Sequence, residues 1–141
     1  SGLGVLLCED MPDAMRAALL DVQNDLFDLG GELCLPGMEV MKDAQVARLE
    51  AQAEAFNADL SMLKEFILPG GTRAASLAHL SRTVCRRAER SMVRLHNSEP
   101  LSEAARRYVN RLSDLLFILG RALNRAGGRG DVLWQKGKNA V

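Results

Sequence analysis

Apolar residues recur along this chain at intervals of three and four, in block after block. Met15, Leu19, Val22, Leu26 and Leu29 form the first long series. It predicts an amphipathic helix from Asp13 to about Glu32, ending at Gly30-Gly31. Before it, Leu3–Cys8 reads as a helix tail and Glu9–Asp13 as a break, with Pro12 set to start the next helix. Val46, Leu49, Ala53, Phe56 and Leu60 give a second series over Asp43 to about Leu63, with Asp43 as its N-cap. A third helix is predicted from Thr72, its cap, to about Asn97. The last opens at Pro100–Ser102, runs to about Ala126 and stops at Gly127-Gly128. No segment reads as a strand, and no repeat of fixed period occurs. The pattern predicts an all-α fold, an up-down four/five-helix bundle of ferritin-like topology. Residues 1–126 form the bundle, and 127–141 a polar, glycine-bearing tail, mobile or docked, that carries Trp134.

Composition bounds this picture without changing it. The 141 residues fit one domain with a real core, and 48% hydrophobic with 26% charged is an ordinary globular balance. The longest apolar run, Leu115–Leu119, is too short to cross a membrane, and no targeting signal opens the chain. Cys8, Cys34 and Cys85 are odd in number, far apart and without a Cys-x-x-Cys pair, which predicts reduced, buried thiols in a cytoplasmic protein. The six methionines read as core filler. Charge is more telling. Residues 1–66 hold 4 Lys+Arg against 13 Asp+Glu, and residues 67–141 hold 14 against 5, so a net charge of zero conceals an acidic half and a basic half. An anionic ligand is therefore compatible with neutrality, as is neutralisation between helices or between subunits.

The basic half concentrates its charge on one helix. Arg82, Arg86, Arg87, Arg90 and Arg94 fall within thirteen residues, directly after the turn Pro69-Gly70-Gly71. With Arg82 at zero on a helical wheel, Arg86 lies at about 40°, Arg90 at about 80° and His79 at about 60°, with Glu89 close by on the other side. Leu77, Val84, Ala88 and Leu95 collect opposite, as the expected packing face. A charged helix face is most often a solvated surface. Here one acid stands among five arginines and lysine is absent, so the row points to polyphosphate, whose oxygens match guanidinium forks in pairs.

The last helix carries Asn110, Asp114, Phe117, Arg121 and Asn124 on one face, at spacings of 4, 3, 4 and 3. Two readings stand level: a lined cleft, or Asp114 paired with an arginine of a neighbouring helix. A ferritin-type di-iron site is excluded, because neither His79 nor His96 has a Glu three residues before it; the two histidines read as surface or helix-packing residues. Neither GxxxxGK[ST] nor GxGxxG occurs.

Three stretches in order carry a specific resemblance. Phe66-Ile-Leu-Pro-Gly-Gly-Thr72, Ser81-Arg-Thr-Val-Cys-Arg-Arg-Ala-Glu-Arg90 and Val109-Asn-Arg-Leu-Ser-Asp-Leu-Leu-Phe117 closely resemble the PduO-type ATP:cob(I)alamin adenosyltransferases, and Val22–Glu32 fits that family's second helix. The resemblance covers roughly residues 1–126. It implies a five-helix bundle assembling as a homotrimer, with active sites between subunits. It implies transfer of the 5′-deoxyadenosyl group of ATP to cob(I)alamin, with Mg²⁺ and release of triphosphate. By the same resemblance Arg82, Arg86, Arg87, Glu89, Arg90 and Asn110 bind ATP, with Arg82 and Arg86 catalytic. Phe66 lies beneath the corrin ring and Phe117 lines its pocket. No metal-ligating residue is assigned.

The family also carries an N-terminal threonine- and glycine-rich phosphate loop and an acidic stretch. Ser1 falls just after both, so an N-terminal segment that orders around nucleotide is expected to precede it. A helical nucleic-acid or regulatory module is the alternative, disfavoured by one Tyr, one Trp, zero net charge and no recognised motif. An inactive, purely structural trimeric bundle is the other.

Overall fold

The computed structural model describes residues 1–140, which form five helices. These are α1 Gly2–Leu6, α2 Asp13–Cys34, α3 Asp43–Asn57, α4 Arg73–Ser98 and α5 Glu103–Ala126. Among the described residues no strand forms, and one isolated antiparallel bridge joins Ile67 to Leu133.

Helix α5 is the axis of the fold because one broad face of it is apolar, opposite a charged one. Tyr108, Leu112, Leu115, Leu116, Leu119 and Leu123 are all buried. That face must be covered, and α4 and α3 pack along α5 while α1 lies on α4. Each fully buried leucine here contributes roughly 1.5–3 kcal/mol. A polar knot ties in α2. The buried Asp25 accepts from Tyr108 Oη at 2.6 Å and Gln45 Nε2 at 3.0 Å, and pairs with Arg48. That cluster joins α2, α3 and α5. Burial, reinforced by the bond to Asp25, pushes the Tyr108 phenol far above its usual range.

The predicted cap at Thr72 is in place, and Ser102, in the stretch expected to open the last helix, caps α5 in the same way. Thr72 Oγ1 accepts from Ala75 N and Ser102 Oγ from Ala105 N, both at 3.1 Å. Other boundaries differ from the sequence reading. Helix α2 runs through Gly30-Gly31 to Cys34. Two helical glycines cost about 1 kcal/mol each, but continuing the helix carries Glu32 inward, where its carboxylate accepts from Val40 N, Met41 N and Ser102 Oγ. Helix α3 stops at Asn57 rather than Leu63, and its N-cap is Lys42, with Asp43 the first helical residue. The chain leaves α3 early because two arginines of α5 take its carbonyls: Arg125 bonds Asp59 O, and Arg121 Nη2 donates to Ser61 O at 2.7 Å.

Helix α4 is rotated from the expected orientation. It buries Ala74, Ala78, Ser81, Cys85 and Met92, leaving Leu80, Val84 and Ala88 exposed. Small residues win this face because they let α4 approach α5 closely. Only Cys85 of the three cysteines is buried; Cys8 and Cys34 are exposed. Met15, Met41 and Met92 fill core, whereas Met38 and Met62 face outward.

Candidate active site

The seam between α4 and α5 gathers most of the polar residues singled out in the sequence. Arg86 Nη1 donates to Glu89 Oε2 at 2.8 Å, and Asn110 Nδ2 donates to Glu89 Oε1 at 2.8 Å. Arg111 Nη1 then donates to Asn110 Oδ1 at 2.8 Å, and its Nε to Glu50 Oε1 at 2.9 Å. Glu89 is thus a strut that holds Arg86 on one helix and Asn110 on the next. Arg82 needs no acid: its guanidinium sits 5.5 Å from the centroid of the Phe117 ring, within cation–π range. Arg87 and Arg90 are exposed, with no acidic partner among the described residues. Arg90 follows Arg86 by one turn, while Arg87 is rotated roughly 100° from Arg86 around the helix.

Beside this row opens a groove of about 1380 Å³, whose walls include Met62, Phe66, Arg82, Arg111, Asp114 and Phe117. Phe66 is 77% exposed at its rim. Exposed aromatic and thioether side chains around a concavity are the surface an apolar ligand covers. Asp114 pairs with Arg111 of its own helix at 3.6 Å rather than with a neighbouring helix.

The loop bearing Phe66 is fastened from both sides. Leu68 N donates to Val132 O at 2.6 Å, Trp134 N donates to Phe66 O at 2.8 Å, and the Phe66 and Trp134 rings meet edge-on at 6.0 Å. Asp131, just before that strand-like stretch, is held by buried Arg121 at 3.0 Å. On the other side, Asn124 donates to Gly70 O at 3.0 Å and accepts from Thr72 N at 2.8 Å. Gly71 has φ of 114°, and a Cβ there would overlap the Asn124 amide, so the turn demands glycine twice over. The polar stripe of α5 therefore divides. Asn110, Asp114 and Phe117 face the seam and groove, while Arg121 and Asn124 are buried struts for the loops.

Cys85 lies under the arginine row, donating to Val109 O at 3.3 Å. Burial first, then Glu89, push its thiol up to about 12 against the pull of Arg86 and Arg82, so it is no nucleophile at neutral pH. His79 is also buried, with its ring edge-on to Phe117. Arg111 and Trp134 were not assigned to the site from the sequence. Arg111 lies off the stripe of Asn110, and the docking of Trp134 on Phe66 spans 68 residues of chain, beyond any local pattern. For Mg²⁺, the described residues bring no three His, Cys, Asp or Glu together, and Glu89 is already engaged by Arg86 and Asn110. These side chains do not by themselves form a cage for that ion.

Fold and site together define an all-helical protein that sets a cationic row suited to phosphate against a groove suited to a broad apolar ligand. The chain belongs to the cobalamin adenosyltransferase family, whose sequence model matches residues 1–123. It is 60% identical over 137 residues to a cobalamin adenosyltransferase of Cupriavidus metallidurans, covering 96% of this chain and 74% of the relative. A corrinoid adenosyltransferase of Mycobacterium tuberculosis strain H37Rv is 42% identical over 147 residues, covering 97% of this chain and 75% of that protein. Among solved structures, a variant PduO-type ATP:corrinoid adenosyltransferase from Lactobacillus reuteri, complexed with cobalamin and ATP, superposes with a TM-score of 0.90. It is 29% identical, over 96% of this chain and 77% of the other. Among the described residues no helix is long and apolar enough to cross a membrane.

Proposed function

We propose that this chain transfers the 5′-deoxyadenosyl group of ATP to cob(I)alamin, forming adenosylcobalamin and triphosphate. The observation that carries the reading is the junction at Arg82 and Phe117, where the arginine row meets the apolar groove. Nucleotide phosphates and corrin would there lie side by side. Cobalt(I) is already a strong nucleophile, so no protein base is required. Its electron pair forms the Co–C bond as the C5′–O bond breaks, triphosphate departs with the bonding pair, and cobalt(I) becomes cobalt(III).

The protein's part is to hold the reacting atoms in line and to neutralise the leaving group. Arg82 and Arg86 are assigned to the phosphates, with Arg87 and Arg90 extending the row. Glu89 and Asn110 orient Arg86 and contact the nucleotide. Phe66 would lie beneath the corrin ring and Phe117 line its pocket, excluding water from the metal's lower face.

The active unit is proposed to be a homotrimer of up-down bundles, with residues 1–126 as the bundle and 127–141 as a tail whose Val132–Trp134 stretch docks on the Phe66 loop. Two outward stripes support this. Helix α2 presents Leu20 and Phe27 beside Asp21 and Asp28, and α4 presents Leu80 and Val84 beside Arg87. One is apolar and acidic, the other apolar and basic, so head-to-tail contact between copies would cover both.

The test mixes the full-length protein with ATP, Mg²⁺ and chemically reduced cobalamin and follows the corrin absorbance. Conversion to the adenosyl form is expected. ATP binding without conversion would place the defect on the corrin side. A protein that also fails to bind ATP would be a structural bundle only.

A further inference from the structure

We infer that His79 is a positioning residue for the corrinoid side of the groove: seated against Gly120, its imidazole fixes the ring of Phe117 beneath Arg82. The inference rests on the reading that Phe117 lines the corrin pocket. His79 lies three residues before Arg82 on α4, and Gly120 lies three after Phe117 on α5. The two pairs therefore interlock across one turn of each helix. His79 is 4% exposed, and its ring centroid is 6.2 Å from that of Phe117 with planes at 65°. A Cβ added to Gly120 would come within 2.7 Å of His79 Cε1 and Nε2. The imidazole thus packs against both a bare α-carbon and the aromatic ring, and Phe117 in turn supports the Arg82 guanidinium.

Aliphatic bulk alone does not account for a ring here. Its Nε2 is buried with no hydrogen-bond partner, a penalty that an aliphatic side chain would avoid. What the ring supplies is a flat, stiff edge that an aliphatic chain cannot offer to Phe117. Burial, then the charge of Arg82, hold the imidazole below its ordinary range, with Asp131 opposing, so it stands uncharged beside the guanidinium at neutral pH. An imidazolium at that place would repel Arg82 from the Phe117 face.

The experiment compares full-length wild type, His79→Leu and His79→Phe. Leucine keeps buried bulk and removes the ring; phenylalanine keeps a ring and removes the nitrogens. KM values for ATP and for cob(I)alamin are measured separately, alongside thermal melts. Corrinoid affinity is read independently of turnover by quenching of Trp134, the chain's one tryptophan, which packs on Phe66. His79→Leu is expected to raise the corrinoid KM and Kd about tenfold, the scale of one aromatic pair, with the ATP KM moving less than about twofold. His79→Phe should restore the corrinoid values. Corrinoid constants unchanged in His79→Leu would overturn the inference. So would constants for both substrates that worsen together in step with the melting temperature, the mark of a packing role alone. A wild type that neither converts nor binds cobalamin overturns the functional reading and this one with it. Wild-type binding with an unaffected leucine variant sinks the His79 role alone.

Discussion

At the scale of single residues, the site separates cleanly from the core. Arg86 is half-exposed and Glu89 is its one ion-pair partner among the described residues, so Arg86→Ala should leave the melting temperature nearly unchanged. It should weaken ATP binding by about 1.5–3 kcal/mol, the range for charge-assisted hydrogen bonds. Calorimetric titration checks this, and an unaltered ATP affinity would remove Arg86 from the phosphate site. Phe66 is so open that truncating it loses little burial. Phe66→Ala should spare ATP affinity and slow the cobalamin step; a large drop in melting temperature instead would make it core. Cys85 is buried with its thiol held at about 12, whereas Cys8 and Cys34 are exposed. A thiol reagent should label two cysteines in the native protein and the third only after denaturation. Fast labelling of all three would contradict the packing of α4 on α5. The arginine density was legible in the sequence, since charge per turn is a local property. The strut role of Glu89 was not, because Asn110 lies 21 residues away and on another helix.

At the scale of elements, ends of helices were decided by distant partners wherever local signals were weak. Thr72 caps as read and α5 opens at Ser102 where its start was expected, because a cap bonds within its own first turn. The ends of α2 and α3 were misplaced because Glu32 and two arginines of α5 recruit backbone from elsewhere. The same logic governs the Pro69-Gly70-Gly71 turn, whose shape Asn124 enforces from α5. Asn124→Ala would orphan Thr72 N and Gly70 O together, and a cost of about 2–4 kcal/mol is expected from two unpaired backbone groups. Urea unfolding measures it. A loss below about 0.5 kcal/mol, the size of an ordinary surface change, would show that the turn holds its own shape.

At the scale of the whole molecule, the division into an acidic and a basic half gains a spatial meaning. Part of it is neutralised within the chain, as where Arg107 and Arg111 of α5 meet Asp43 and Glu50 of α3. Further acids on α2 and arginines on α4 face outward beside apolar side chains, with Phe27 87% exposed. A surface of that kind is costly in a free monomer. Light scattering on the full-length protein should return three times its chain mass. A single chain mass at micromolar concentration would overturn the trimer and require another cover for these stripes.

By itself the sequence determined that this protein is helical, where most helices begin, and that one of them carries a row of arginines after a glycine turn. Those are consequences of spacing within a few residues, which the backbone converts directly into faces and caps. Only the tertiary structure decided which face of α4 is buried, that Asp25 and Tyr108 knot three helices, and that Phe117 bridges His79 to Arg82. It also decided that the tail closes on Phe66. Each depends on groups far apart in sequence whose meeting is set by how side chains of different size let helices approach, and no local pattern encodes that distance.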